Sequence, residues 1–561
     1  VSASQKDDDS GFCLLSFWSL IIAALDSIES IHSIQYIIRF DSFFYNEHSL
    51  VQYYSTTVQY VFESDSCWPA SDIGMLARAS CTFQRHEIEE LLLKTSCFLV
   101  LSTMENDTTS FKLFGQDLAV IVAVFANILS WFVAAFAPSF LPYLLPKIPE
   151  EDKATAPSSR QTKCIAIGRP GGIEQLRFIT LKPGFVTVGY NLRFPSPFVD
   201  LSNIKDEELP PGTVVVKNHS FSVNYADCCI RWGLYESANK FVGWPIVPGF
   251  DIAGVVERVA TSKSSDDNDT NTPSLKVGDR VYGATFFGAY STRCLVPVRQ
   301  LRKIPNGLSF SQAASIPAVS LTALYTLYLG GRFPAHDCVP QNKSILIHTA
   351  AGGVGSMLIQ MSKLLGLSPV VGIVGRTSKV EHAESMGCDV VIDKSSFQSQ
   401  QEMWTATKQA LGSEKEGYSI IADANGVSTL MHSFDHLGPT GRLVVFGFHS
   451  NLPMGQDMLN PLEWLKMVFK MTRMPKFDAM DLVTSNKSIL GFNLSFFVDE
   501  IDMLGQIYDQ IGEWLTNDKL QVARVTEMRM KDIGAAHQLL QSGKSVGKIV
   551  MTTQEDQQEI A

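Results

Sequence analysis

The chain has 561 residues, 45% of them hydrophobic and 18% charged, enough to bury a large core and to form three or four domains at roughly 100–200 residues each. Lys plus Arg number 46 against 57 Asp plus Glu, a formal charge of −11, which excludes an electrostatic footprint for sequence-independent binding to nucleic acid. Ten cysteines without dense or regular spacing exclude a disulfide framework and read as free thiols of a reducing compartment.

Residues 1–117 contain apolar and aromatic pieces but no repeat and no reactive constellation, so their fold and role stay unassigned. Phe12–Leu25 is apolar, yet Asp7, Asp8 and Asp9 stand where a secretory signal carries positive charge. Leu118–Ala137 is an uncharged run of 20 residues that as a helix rises about 30 Å, the thickness of a bilayer's hydrocarbon core. Pro138, Pro142 and Pro146 would end it, and Trp131, Tyr143 and Lys147 suit an interface. The expectation is one transmembrane helix, with the body it tethers on the cytoplasmic side; the competing reading is a buried helix and a soluble cytoplasmic protein. Residues 138–163, rich in acidic, Pro and Ser residues, read as a linker.

From Cys164 short apolar runs alternate with Gly and Pro: CIAIG, LRFITL, TVVVKNHSFSV, then FDIAGVVERVA and LKVGDRVYG. These predict the strands of a barrel-like or sandwich domain. Thr261–Pro273 has no apolar period and reads as a surface insertion.

The most informative stretch is SILIHTAAGGVG followed by SMLIQMSKLLG at 344–366. An apolar strand ends at His348 and helical spacing begins at Val354, so the glycines fall at a strand-to-helix junction. There Gly352 and Gly353 allow a tight turn and close approach to a pyrophosphate, and Gly355 lets the helix pack on the strand. The free N–H groups of the first turn then face the phosphates. Strand and helix patterns continue to alternate through 369–375, 379–386, 389–392, 419–424 and 441–447, predicting an α/β unit with a doubly wound parallel sheet. After its second strand stands Gly375-Arg376-Thr377-Ser378-Lys379 in place of the acid that holds a ribose hydroxyl. That replacement points to NADPH, with Arg376, Ser378 and Lys379 as ligands of the 2′-phosphate; the same residues also suit an ordinary polar helix start. His348 reads as a satisfied core imidazole or a cofactor-edge residue before an acid or base.

Several segments resemble the medium-chain dehydrogenase/reductase superfamily, specifically its zinc-free quinone oxidoreductase branch. They are VNYADCCIRWGLY at 223–235, PIVPGFDIAGVVERV at 245–259, LKVGDRVYG at 275–283, AASIPAVSLTALYTL at 313–327 and IHTAAGGVGSMLIQ at 347–360. Residues 460–497 and SVGKIVM at 545–551 resemble the synaptic vesicle membrane protein VAT-1 homologues within that branch. The resemblance implies a GroES-like catalytic domain at 164–320 and 481–553, split by a Rossmann NADPH-binding domain at 321–480, with a tail at 554–561. It implies hydride transfer from NADPH to a quinone or an α,β-unsaturated carbonyl, and a homodimer. The alternative it raises is a membrane-associated nucleotide-binding or trafficking protein with little turnover.

The same resemblance places Asn224 and Tyr235 in the catalytic cleft. It places Thr322, Ala351, Gly352, Gly353, Val354, Gly355, Asn425, Gly447, Phe492 and Asn493 around the cofactor, beside Arg376, Ser378 and Lys379. Several quinone reductases have a Tyr five residues after the Asn, where this chain has Cys229, so the proton donor stays open. Zinc-containing relatives carry His-Glu where this chain has Phe250-Asp251 after Gly249, and their four-Cys lobe is missing; no zinc is expected. Cys228 and Cys229 read as strand neighbours on opposite faces, one in the core and one at the cleft.

Overall fold

The computed structural model describes residues 161–553 apart from 193, 195, 262–272, 332–342 and most of 449–471, together with 112–113 and 116–117, which form two paired two-residue strands. Residues 1–111, the stretch Leu118–Ala137, most of the linker, the insertion at 262–272 and the tail lie outside the described residues.

The first domain is built on β1 (Phe185–Val188), β2 (Phe198–Asp200), β3 (Thr213–Val223), β4 (Asp251–Val259), β5 (Arg280–Ala284), β6 (Arg293–Pro297) and β7 (Leu301–Lys303). Helix α1 (Tyr225–Arg231) follows β3, and α2 (Pro317–Leu329) leads into the second domain. That domain contains β8 (Ile345–His348), α3 (Gly353–Leu364), β9 (Val370–Val374), β10 (Val390–Asp393), β11 (Tyr418–Asp423), β12 (Leu437–Val445) and β13 (Ser488–Gly491). The chain then returns through α4 (Ile501–Thr516), β14 (Val525–Arg529), α5 (Ile533–Gln541) and β15 (Lys548–Thr552).

The second domain's six strands are all parallel, in the order β10-β9-β8-β11-β12-β13. Its central strands are continuous Ile, Leu and Val runs, buried as a sheet covered on both faces requires. The sixth strand, Ser488–Gly491, lies beyond the boundary at 480 that the resemblance implied, so the parallel sheet extends further along the chain. The first domain's nine-stranded sheet runs β7-β5-β4-β3-β6-β1-β2, with β15 on β3 and β14 on β15. β3 is its spine. Eleven residues long, it pairs through Thr213–Lys217 with β6 and through Ser220–Val223 with β15.

Both domains fall within one compact unit and share one core. α4 buries Leu504, Ile507, Tyr508, Ile511, Trp514 and Leu515, the one-face spacing of an amphipathic helix. Ile316, Val319 and Leu324 of the α2 region belong to the same buried cluster as Ile345, Ile347 and Leu358 of the parallel-sheet domain.

Two expectations need correction. Among the described residues no helix is long and apolar enough to cross a membrane. α4, at 16 residues, rises only about 24 Å and carries Asp502, Asp509 and Glu513. Since Leu118–Ala137 lies outside the described residues, the transmembrane helix, the membrane association and the membrane localisation drawn from it are not carried forward. Cys228 and Cys229, in turn, are not strand neighbours. They sit in α1, where successive side chains diverge by about 100°, and Cys228 turns inward to lie 3.5 Å from His537 Nδ1 on α5.

His537 joins the returning segment to the first part of its domain, its Nε2 3.2 Å from the Tyr290 hydroxyl. Burial, and then the charge of Arg231, lowers its pKa to about 3. A depressed pKa stabilises the fold above the unfolded value near 6.5, and that stability is lost as pH falls toward 3, by at most about 1.4 kcal/mol per pH unit. Urea melts at pH 7 and pH 4.5 check this. The wild type should lose more stability across the interval than His537→Gln; equal losses would contradict a neutral buried imidazole.

Candidate active site

The glycine turn begins at the end of β8. Thr349 adopts a positive φ of 57°, Gly352 N–H donates to Thr349 O (2.9 Å), and the first intrahelical bond of α3 runs from Ser356 N–H to Gly352 O (2.8 Å). The N–H groups of Gly353, Val354 and Gly355 therefore precede the helical ladder and point out of its N-terminus, an anion-binding arrangement. A Cβ on Gly355 would lie 2.4 Å from Thr349 O and 2.5 Å from Ala350 O, so only glycine lets helix and strand approach this closely. A Cβ on Gly352 would meet only Thr349, at 3.3 Å, leaving its outer side open. Gly353 differs from expectation: it is pressed against Val319 and against Lys548 of the returning strand.

That strand docks on the turn itself. Gly547 N–H donates to Ala351 O (2.9 Å) and Gly547 bridges Gly352. Gly547 has φ +64°, and a Cβ there would lie 2.1 Å from Arg524 O, so the returning strand's side of the seam needs glycine.

At the end of β9, Arg376 and Ser378 are exposed whereas Lys379 is buried. Burial, then the charge of Arg376, lowers the Lys379 pKa. Arg376 reaches across to Ser542 O (3.4 Å). An acid missing from this stretch of sequence arrives through space: Asp393, at the end of β10, accepts from Thr377 Oγ1 (2.6 Å) and from Ser395. Both of its oxygens are engaged by these donors, which hold its pKa down.

At the end of β11, Asn425 is held by a chain of hydrogen bonds. Thr349 Oγ1 donates to Asn425 Oδ1 (3.2 Å), and Asn425 Nδ2 lies 3.2 Å from His348 Nδ1. His348 Nε2 lies 3.0 Å from Ser433 Oγ, which donates to Asp423 Oδ2 (3.0 Å). With Nδ1 accepting from the amide, Nε2 carries the proton and donates to Ser433. Burial lowers the His348 pKa, against the pull of Asp423. Gly447 lies where a Cβ would approach Ala424 O to 2.7 Å.

The other wall comes from the first domain and the segment after β13. The Tyr235 hydroxyl donates to Asn493 Oδ1 (2.9 Å), and its ring stands edge-on to Phe250 and Phe287. Burial pushes the Tyr235 pKa well up, so the phenol keeps its proton. Phe492 packs edge-to-face on Tyr325 at 4.8 Å and its N–H extends the ladder to Val445 O (3.3 Å). Thr322 Oγ1 donates back to Ala318 O (2.6 Å).

Asn224 stands where β3 passes into α1. Its N–H donates to Asp227 Oδ2 (2.8 Å), its Nδ2 donates to Asp251 Oδ2 (2.8 Å), and its Oδ1 accepts from Lys548 Nζ. Ser222 also donates to Asp251, and Ala318 N–H donates to Asp251 Oδ1 (2.6 Å). Burial drives the Asp227 pKa up to about 7, opposed by the Asn224 N–H and by Lys548. Burial lowers that of Lys548, opposed by Asp251 and Asp227.

Sequence reasoning missed Asp227, Asp251, Lys548, Asp423 and Ser433. Local signals were slight: an acid inside a strand, and a lysine before the apolar IVM run. Among the described residues no group of three or more His, Cys, Asp or Glu is placed to hold a metal. At the positions where zinc-containing relatives carry His-Glu, Phe250 offers no ligand and Asp251 is already bonded to Lys548, Asn224 and Ser222, so this donor set does not fit zinc.

A GroES-like domain sewn onto a parallel dinucleotide-type sheet, with the glycine turn at the seam, defines the class of two-domain nicotinamide-dependent oxidoreductases. Family models agree domain by domain: "Alcohol dehydrogenase GroES-like domain" matches residues 210–306 and "Zinc-binding dehydrogenase" matches 353–504. The synaptic vesicle membrane protein VAT-1 homolog of Danio rerio is 26% identical over 351 residues, 63% of this chain and 66% of that one, just under two thirds of the relative's length. A Pseudomonas syringae quinone oxidoreductase structure is 25% identical with a TM-score of 0.52, covering 70% of this chain and all of that one. The Escherichia coli quinone oxidoreductase complexed with NADPH superposes with a TM-score of 0.52 at 21% identity, over 70% of this chain and 100% of that one. By these matches the chain is similar to the medium-chain dehydrogenase/reductase superfamily, and within it to the zinc-independent, quinone-oxidoreductase-like branch.

The glycine geometry separates two neighbouring substitutions. Gly355→Ala should cost roughly 1–3 kcal/mol of stability, because its methyl meets fixed carbonyls. Gly352→Ala should stay within about 0.5 kcal/mol of wild type. Urea melts of both variants test this; the reverse order would contradict the turn described.

Proposed function

We propose that this protein is an NADPH-dependent oxidoreductase that reduces a quinone, or the carbon–carbon double bond of an α,β-unsaturated carbonyl, without a metal. What supports the reading is the glycine turn at the seam of the two domains, where Thr349 bonds Asn425 and the returning strand brings Lys548 onto Asn224, together with the Tyr235–Asn493 pair. NADPH, when bound, supplies a hydride at its nicotinamide ring. The residues supply position and polarity. The first-turn amides at Gly353, Val354 and Gly355 face the diphosphate, and Arg376 with Ser378 meets the 2′-phosphate at the exposed end of β9. Lys379 is buried and adds charge from beneath. Thr322, Asn425, Gly447, Phe492 and Asn493 border the nicotinamide end.

Asn224 offers its remaining amide hydrogen to the cofactor's ribose, a water or the substrate oxygen. Tyr235, with its proton committed to Asn493 and its pKa raised, shapes the pocket alongside Phe250 and Phe287 and does not serve as the acid. Hydride plus one solvent-borne proton completes the two-electron reduction. Most of the rate then comes from alignment and from a donor at the developing oxyanion.

The test is NADPH consumption by the full chain against a panel of quinones and enones, with NADH alongside. Saturable NADPH oxidation with at least one acceptor is the expected result. Tight NADPH binding with no acceptor accelerated would favour a nucleotide-binding role with little turnover. Arg376→Ala should weaken NADPH about 10- to 100-fold, as for loss of one charge-assisted hydrogen bond, and leave NADH nearly unchanged. Titrations of both nucleotides read this, and equal losses would remove Arg376 from the phosphate site.

A further inference from the structure

Lys548 is 4% exposed and Asp251 fully buried, 3.5 Å apart. A buried charge is retained only where partners compensate its desolvation. This lysine has them: Asp251, the Val223 carbonyl (3.1 Å) and Asn224 Oδ1. Its placement follows from register. β15 pairs antiparallel with β3 so that Ile549 faces Val223, which puts Lys548 beside the next residue of the other strand, Asn224.

The chemistry of the two neighbours selects one orientation of the Asn224 amide. An ammonium only donates, so it must face Oδ1; a carboxylate only accepts, so it must face Nδ2. The flipped amide would set a donor against a donor and an acceptor against an acceptor, both buried. One N–H of Nδ2 and one lone pair of Oδ1 remain, on a half-buried side chain at the cleft. The lysine also connects two sites. Residue 547 docks on the glycine turn through Ala351 O, the Lys548 stem passes beneath Gly353, and its head ends on Asn224. A shift of the turn relative to the catalytic domain therefore pulls on the amide.

Resting on the functional reading above, we infer that Lys548 is a positioning residue: with Asp251 it fixes the Asn224 amide in one orientation and ties it to the dinucleotide-binding turn. It touches neither cofactor nor substrate and acts through Asn224.

The experiment is a double-mutant cycle on the full chain, with 1,4-benzoquinone or 2-cyclohexenone as acceptor, whichever the wild type turns over. Lys548→Met should lower kcat about 10- to 100-fold, the scale of a misplacement of about 1 Å, with a much smaller change in the NADPH dissociation constant. In an Asn224→Ala background the same substitution should lower kcat by less than about threefold, because its target is already gone. Asp251→Asn, nearly isosteric, gives a second path to the same amide: it should lower kcat while keeping a cooperative melt, and its loss should also vanish on Asn224→Ala. Losses that multiply in both cycles, or wild-type kcat in Lys548→Met and Asp251→Asn, would overturn the positioning role alone. Absence of turnover in the wild type with every acceptor would overturn the functional reading and this role together.

Discussion

The structure depends on one seam, the hydrogen bond from Gly547 N–H to Ala351 O and the buried lysine that follows it. Each sheet has its own strands, but the proposed hydride transfer needs the two held in one relative position. The chain leaves the first domain near α2, builds six parallel strands and comes back, so its last strand completes the first sheet while its leading residue touches the turn of the second. Gly547 is required sterically, by a carbonyl 2.1 Å from where a Cβ would sit, and Gly353 lies close against the side chains of Val319 and Lys548. Such steric closeness gives the junction little slack.

Around that seam the polar groups are arranged in self-satisfied chains. One runs Asp423–Ser433–His348–Asn425–Thr349 along the carboxyl ends of β8 and β11. Another runs Asp251–Asn224–Lys548 on the facing wall. Each chain is anchored by a buried carboxylate and includes an asparagine amide. An amide is suited to such a place because it donates and accepts without titrating, so its orientation is set by its neighbours and not by pH. Tyr235 and Asn493 form a third, shorter pair of the same design.

Much of the parallel domain was legible in the sequence because its signals are local. A glycine cluster between an apolar strand and an amphipathic helix marks its own position. What was not legible is what long-range pairing creates. Ser488–Gly491 joins the parallel sheet only because β12 offers it an edge. Cys228 and Cys229 read as strand because VNYADCC continues an apolar run, yet the Asp227 carboxylate closes a helical turn on the Asn224 N–H and switches the period. Nothing local marks Lys548; only the register of β15 on β3 reveals that it is buried beside Asn224 and Asp251. Leu118–Ala137 has the length and hydropathy of a membrane span, but it lies outside the described residues, among which no helix is long and apolar enough to cross a membrane.

The central claim is that the amides opening α3 receive the diphosphate of NADPH. A crystal structure of the full chain with NADPH tests it most directly. The account predicts the diphosphate against the N–H groups of Gly353, Val354 and Gly355, with the 2′-phosphate beside Arg376 and the nicotinamide between Asn224 and Asn425. A well-ordered nucleotide bound elsewhere, with that turn empty, would contradict it.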